Sequence, residues 1–375
     1  MKNNNKIAFF KTGSFSNTNE SVYKVLKIEF PDYEIDVIDL WEEKLVNYKS
    51  FKNIFHAFIE YGFSMLYSKR NLNYGLICNS YIFGLVKKNI NNVYGKKEYL
   101  FTFQTQSQFD MSIKGIKNFV YTDHTAKASR LYPDYNIVKE SRSEKWYECE
   151  KSIYSNATIN FTMSGDISRS MIEEYGCNPA QVICANVAPN AQIPQNIEVK
   201  NDKYIQPHLL FVGKEWEEKG GLILLEAFEN ISKFYPETKL TIVGCTPEIK
   251  TVNCNVVGRV PVSKVGDYFA DASIFCLPTP REAFGIVFLE AMAYYLPVVG
   301  TNIGAIPEFI IENKNGFMSN VGDVDGFTRN ILKLIESPEK CQQFGEFGHK
   351  LFLDKYTWDN VGFIIRTNII NSLEK

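Results

Sequence analysis

Nothing in the sequence approaches the ~18–20 consecutive apolar residues that a membrane-spanning helix needs. The start, Met1-Lys2-Asn3-Asn4-Asn5, lacks the apolar core of a secretory leader. These two absences lead us to expect a cytoplasmic protein. Histidine is scarce, at 4, and the 8 cysteines stand singly with no C-x-x-C pair, which argues against a zinc site or a disulfide framework. We read Cys78, Cys149, Cys177, Cys184, Cys245, Cys254, Cys276 and Cys341 as reduced thiols of the core. With 23 glycines and 14 prolines the chain is neither collagen-like nor low in complexity. The formal net charge of −2 excludes general nucleic-acid affinity, which needs a basic face to neutralise phosphates.

What is present is a chain of 375 residues, 45% hydrophobic and 22% charged, long enough for two domains. Its charge is uneven: residues 41–130 hold 13 Lys and Arg against 6 Asp and Glu. Strand-like and helix-like segments alternate. In the first half, strands are expected at 6–10, 33–40, 99–103, 118–122, 158–162 and 181–185, with helices near 20–30, 51–67 and 168–175. Residues 188–205 lose this periodicity and read as a linker. Strands resume at 208–212, 239–243, 273–277 and 297–299, with helices near 221–234, 264–270, 285–295 and 326–335. Strands separated by helices imply parallel sheets covered on both faces, so the expected architecture is two Rossmann-like α/β domains, 1–187 and 206–355, facing each other across a cleft.

Three segments carry chemistry. In Phe211-Val212-Gly213-Lys214-Glu215-Trp216-Glu217-Glu218-Lys219-Gly220-Gly221 a strand runs into a loop with two lysines five apart and then into a helix. At the carboxyl end of a strand such a loop offers ammonium groups and helix amides to a phosphate; otherwise it is a solvated charged turn. It lacks the Walker spacing. In Arg281-Glu282-Ala283-Phe284-Gly285-Ile286 a loop opens a helix that carries Glu290. Eight residues at ~1.5 Å each put the two glutamates about 12 Å apart, too far for the roughly 5–9.5 Å of a glycosidase pair but suited to two grips on one long ligand. The plainer reading is a surface charge and a cap. Third, Phe119-Val120-Tyr121-Thr122-Asp123-His124 delivers an Asp and a His to a strand's carboxyl end, where they either orient a substrate or simply make a turn. Gln104 and Gln106 follow another strand and are acceptor-side candidates, as is Gly13 in the first loop. Asp323-Val324-Asp325 has a metal-site look but precedes a helix, so we read it as a cap.

In order and spacing these segments resemble the family 4-like glycosyltransferases of the GT-B fold. The resemblance lies in Phe211-Val212-Gly213 through Lys219-Gly220 and Leu224–Phe228, in Glu282 through Glu290 with Pro297-Val298-Val299, in Gly304-Ala305-Ile306-Pro307-Glu308, and in Ala188-Pro189-Asn190-Ala191 at the hinge. It implies a retaining transferase that moves a sugar from a nucleotide-diphosphate sugar to a glycan or lipid-linked acceptor, as in polysaccharide or glycolipid assembly, with no metal or other cofactor. It further implies that Lys214 and Lys219 hold the diphosphate and that Glu290 grips the ribose. Glu282 with the backbone of Ala283, Phe284, Gly285 and Ile286 would meet the sugar, and His124 with Asp123 would stand at the reaction centre. A last helix, within 356–375, is expected to return to the first domain. Two departures stand out: Lys214 replaces the commoner Arg, and the first loop, Thr12-Gly13-Ser14-Phe15, lacks a two-glycine turn. A nucleotide-sugar epimerase or a non-catalytic glycan- or nucleotide-binding relative are the alternatives. Residues 48–70 mix Phe51, Phe55, Phe58, Phe63 and Tyr67 with Lys49, Lys52, Lys69 and Arg70, which suits either a weak contact with an anionic bilayer or a core helix with solvated lysines.

Overall fold

The computed structural model describes residues 5–66, 69–133, 135, 142–200 and 202–374. They fall into two compact units, one built from Met1–Leu131, Tyr135–Asn186 and Val361–Lys375, the other from Tyr132–Asp134 and Val187–Asn360. The stretch read as a linker, 188–205, is therefore part of the second unit, and so are residues 356–360.

The first unit is a six-stranded sheet in the order β2-β1-β3-β4-β5-β6, every neighbouring pair parallel. Its strands are β1 (Lys6–Lys11), β2 (Glu34–Asp39), β3 (Thr102–Thr105), β4 (Asn118–Thr122), β5 (Ile159–Thr162) and β6 (Val182–Cys184). Between them run α1 (Thr18–Glu29), α2 (Phe51–Tyr61), α3 (Lys69–Ile77), α4 (Ser80–Tyr94), α5 (Glu144–Asn156) and α6 (Gly165–Glu173). Central strands such as β4 are buried at every residue, which is why they read as continuous apolar runs rather than as alternation. Ring packing among Phe101, Phe103, Phe119 and Phe161 fills one side of the sheet. The helix read as 51–67 stops at Tyr61, where Gly62 adopts φ +59° and a short 3₁₀ turn, Gly62–Leu66, follows. Tyr67 lies outside the described residues, as do the side chains of Lys69 and Arg70. The strand read as 99–103 is displaced to Thr102–Thr105.

The second unit repeats the plan, in the order β12-β11-β10-β7-β8-β9 and again parallel throughout. It comprises β7 (His208–Val212), α7 (Gly221–Ser232), β8 (Lys239–Val243), β9 (Cys254–Gly258), α8 (Val262–Asp271), β10 (Ile274–Leu277), α9 (Ile286–Ala293), β11 (Val298–Thr301), α10 (Ile306–Phe309), β12 (Gly316–Ser319), α11 (Val324–Ile335) and α12 (Pro338–Lys355). Leu209, Leu210, Phe211, Phe275, Cys276, Val298 and Val299 are fully buried at its centre. Asp323 caps α11, its carboxylate accepting from the Gly326 amide at 2.8 Å. The last helix, α13 (Trp358–Leu373), begins in the second unit, where the Trp358 indole donates to the Pro189 carbonyl at 2.8 Å. From Val361 onward it belongs to the first: Arg366 donates to the Glu29 carbonyl at 3.1 Å, and Gly362 lies so close to Glu29 that a Cβ there would meet its carboxylate at 2.8 Å. None of the eight cysteines is in a disulfide, and Cys78, Cys245, Cys276 and Cys341 are buried. Among the described residues no helix is long and apolar enough to cross a membrane.

Candidate functional site

In an open parallel sheet, ligands bind beyond the carboxyl ends of the strands at the point where strand order reverses. In the second unit that point lies between β7 and β10. The loops leaving these two strands carry the residues that the sequence singled out. The loop after β7 is a compact turn closed by backbone bonds from Lys219 to Glu215 at 3.0 Å and from Gly221 to Trp216 at 2.8 Å. It rests on the loop after β10 through Gly220, which has φ +76° and approaches the Pro278 carbonyl so closely that a Cβ would come within 2.0 Å of its oxygen. Only glycine fits there. This docking brings Lys219 to Glu282: the ammonium donates to the carboxylate at 2.6 Å, the side chains being 31% and 16% exposed.

Glu282 is fixed from its other side as well. Gly304, at φ +54°, packs against the Glu282 carbonyl, where any side chain would clash at 2.2 Å. Phe284 is buried on Phe309 with ring centroids 5.4 Å apart, and Gly285, at φ +93°, occupies the cap position that opens α9. At the start of α9 the Phe288 amide donates to the Gly285 carbonyl at 2.9 Å, while the amides of Ile286 and Val287 lie in the first turn, where a helix offers no acceptor of its own, in the fold's ligand-facing loop. Ile286 and Glu290, four apart, share one face of α9, and both are half-buried. Burial pushes the Glu290 carboxyl up to about 7. Among the described residues no side chain or amide is paired with it.

Lys214 is exposed and lines a pocket of about 560 Å³ whose walls include Trp216, Leu222, Cys245, Thr246 and Pro247; the residue before it, Gly213, lies against Lys219, whose Cγ a Cβ there would meet at 3.5 Å. Trp216 was passed over in the sequence. Its indole packs on Phe211, with ring centroids 5.0 Å apart, and covers Gly221, where a Cβ would sit 2.1 Å from the ring. The loop after β8 was passed over too, although Gly244, at φ +100° directly beyond the strand, signals a close backbone approach.

In the first unit, strand order reverses between β1 and β3. There Thr12 donates to the Gln106 side chain, the Gly13 amide donates to Asp39 at 3.1 Å, and Ser107 donates to the His124 carbonyl at 3.2 Å. Gly13, Gln106, Asp123 and His124 are half-buried on these converging loops. The His124 ring pairs through Nε2 with the Ser129 hydroxyl at 2.7 Å. Gln104, expected on the acceptor side, is turned into the fold. It is fully buried, its amide donates to the carbonyls of Gln106 and Phe109 at 3.1 and 3.0 Å, and its oxygen accepts from Met111 at 3.0 Å, so it braces the turn. The loop bearing Asp123 and His124 is held from beneath by Glu150, which accepts from the Ala126 amide at 2.9 Å, from Tyr154 at 2.9 Å and from Tyr175. Among the described residues no group of three or more His, Cys, Asp or Glu could hold a metal ion.

Two parallel α/β units with ligand-facing loops of this kind define a protein of the GT-B class, and comparison with known proteins agrees. Residues 192–351 match the family Glycosyl transferases group 1. An uncharacterised glycosyltransferase of Methanocaldococcus jannaschii is 30% identical over 155 residues, 40% of this chain and 44% of that protein. The chain spans less than half the length of the first curated relatives it matches. The fold match is wider. Sucrose-phosphate synthase from Thermosynechococcus elongatus superposes with a TM-score of 0.71 at 13% identity, over 98% of each chain. Anabaena HepE, solved with UDP and glucose, gives 0.67 at 12% identity over 98% of this chain and 99% of its own.

Proposed function

We propose that this protein is a retaining glycosyltransferase that moves a sugar from a nucleoside-diphosphate sugar to an acceptor hydroxyl in polysaccharide or glycolipid assembly. The observation that carries the reading is the Lys219–Glu282 pair beside the first turn of α9, with Glu290 on the same helix. A cation and helix amides at one point are what a departing diphosphate needs, since charge grows on the leaving oxygen as the bond to the anomeric carbon breaks. The acceptor oxygen forms the new bond from the same face, and its proton passes to the leaving phosphate oxygen. Glu282 would hold the sugar's hydroxyls, Glu290 the ribose, and His124 with Asp123 the acceptor side. The bound UDP and glucose in the HepE structure support a donor of this class.

The test is a panel of nucleotide sugars screened for thermal stabilisation, since a ligand at 100 times its dissociation constant adds about 2.7 kcal/mol. Transfer is then followed by NMR of the anomeric proton. Free altered sugar released without an acceptor would overturn the reading in favour of an epimerase.

A pH dependence follows from Glu290. Ribose hydroxyls donate to the ionised carboxylate, so binding favours loss of a proton from a group that titrates near 7 in the free protein. Nucleotide affinity should rise about tenfold between pH 6 and pH 8, because each pH unit below the pKa costs about 1.4 kcal/mol. In Glu290→Gln this dependence should flatten. The stability of the free protein should run the other way: a carboxyl whose folded pKa is raised binds more protons folded than unfolded, so stability falls as pH rises from about 4.5 to about 7. Calorimetry and thermal unfolding across this range check both.

A further inference from the structure

Helix α2 is built inside out. Its inward face is polar: Asn53 is fully buried, donating to the carbonyls of Tyr48 and Leu76 at 2.7 and 2.8 Å and accepting from Asn79 at 3.0 Å. One turn on, Ala57 is buried, and beyond it Glu60 accepts from the Ser80 amide and hydroxyl at 2.9 and 2.7 Å and from Ser143. These bonds fix the helix's rotation. The outward face then consists of Phe51, Ile54, Phe55, Phe58 and Ile59, at the spacing of one helical stripe, and the 3₁₀ turn extends it through Phe63 and Leu66. Phe51 is 84% exposed, Phe63 75% and Ile59 60%, and Phe58 and Phe63 meet at 5.4 Å. A contiguous apolar surface that the fold itself holds outward marks an interaction site.

Charge selects the occupant. Residues 44–97 contain nine Lys and Arg and one acidic residue, and that residue, Glu60, is turned inward onto the two serines. Lys49 and Lys52, at the start of the helix, are exposed. Two copies of this face would bring Lys49 and Lys52 of one against those of the other, which disfavours self-association. Phenylalanines flanked by lysines suit a surface with hydrocarbon just beneath an anionic layer. We propose that α2 and the following turn dock this protein on an anionic lipid bilayer, the rings entering the acyl boundary and the lysines meeting the headgroups. The proposal is independent of the donor chemistry and concerns binding alone.

The experiment is co-sedimentation of the full chain with vesicles of phosphatidylcholine, or of phosphatidylcholine with phosphatidylglycerol, at low and physiological salt. Binding to the anionic vesicles is expected, weakening with salt as screening shortens to ~8 Å. Neutralising Lys49 and Lys52 to glutamine should lower partitioning about fivefold per lysine, from about 1 kcal/mol each. F55S/F58S should lower it at least about tenfold, since burying one such ring contributes about 1.5–3 kcal/mol. These rings are exposed, so the double variant should unfold at the wild-type temperature, and that control separates lost docking from lost structure. The proposal is overturned if the chain ignores both vesicle types, if F55S/F58S binds as wild type, or if sedimentation velocity reveals a dimer that F55S/F58S abolishes.

Discussion

Lys219→Ala should weaken nucleoside-diphosphate binding about 10–100-fold in titration calorimetry, because a hydrogen bond to a charged group contributes about 1.5–3 kcal/mol. The ion pair sharpens this expectation. In the native protein the ammonium offsets the Glu282 carboxylate at 2.6 Å, and without it a bound diphosphate would face an uncompensated negative group as well as lose a donor. Lys219→Arg should recover part of the loss, since the charge remains while the reach and planarity change. Glu282→Ala, by contrast, should leave nucleotide affinity largely intact and lower turnover. Unchanged affinity in Lys219→Ala, or equal nucleotide losses in the Glu282 and Glu290 alanine variants, would show that the phosphate is held elsewhere.

The second large effect is expected far from any phosphate, at Glu150. This carboxylate is buried, burial pushes it above the usual carboxyl range, and three donors converge on it: the Ala126 amide and the hydroxyls of the buried Tyr154 and Tyr175. The last of these hydroxyls also accepts from the Lys127 amide at 3.1 Å, so one acid organises the segment directly after Asp123 and His124. Glu150→Ala leaves all three donors unsatisfied at about 1–3 kcal/mol each, and the first unit should lose at least about 3 kcal/mol of stability. Glu150→Gln, which keeps one acceptor oxygen, should fall between. Denaturant unfolding followed by tryptophan fluorescence, to which Trp41 and Trp146 of the first unit contribute, checks this; a loss below about 1 kcal/mol in the alanine variant contradicts the assignment.

Much of this architecture was legible before any coordinates. Strands such as β4 and β10 lie between layers of helices, so they are apolar throughout and stand out as short uninterrupted runs. The edge strands β9 and β12 escaped because an edge need not be apolar on both faces: β9 is Cys254-Asn255-Val256-Val257-Gly258, half of it polar or glycine. Helices α4, α5 and α12 escaped as well, being polar enough along their outer faces to blur the period. At the site, Gly285 before Ile286 announced the start of α9 and with it the helical position of Glu290. The pairing of Lys219 with Glu282 could not be read, since 63 residues separate them and the gap is closed by the pairing of β7 with β10 and the contact of Gly220 with Pro278. Gln104 and Gln106 looked alike two residues apart. Which one is enclosed depends on where the carbonyls of the 106–111 turn point, and that is a property of the folded loop.

Two of the buried thiols offer a way to watch the two halves of the molecule independently. Cys78 is buried in the first unit and Cys276 in β10 of the second, and burial pushes both thiols up, away from the reactive thiolate. Neither can be alkylated until its own surroundings open. Pulsed labelling followed by peptide mapping therefore yields two clocks on one chain, and a nucleotide that binds only the second unit should slow the Cys276 clock while leaving the Cys78 clock at its original rate.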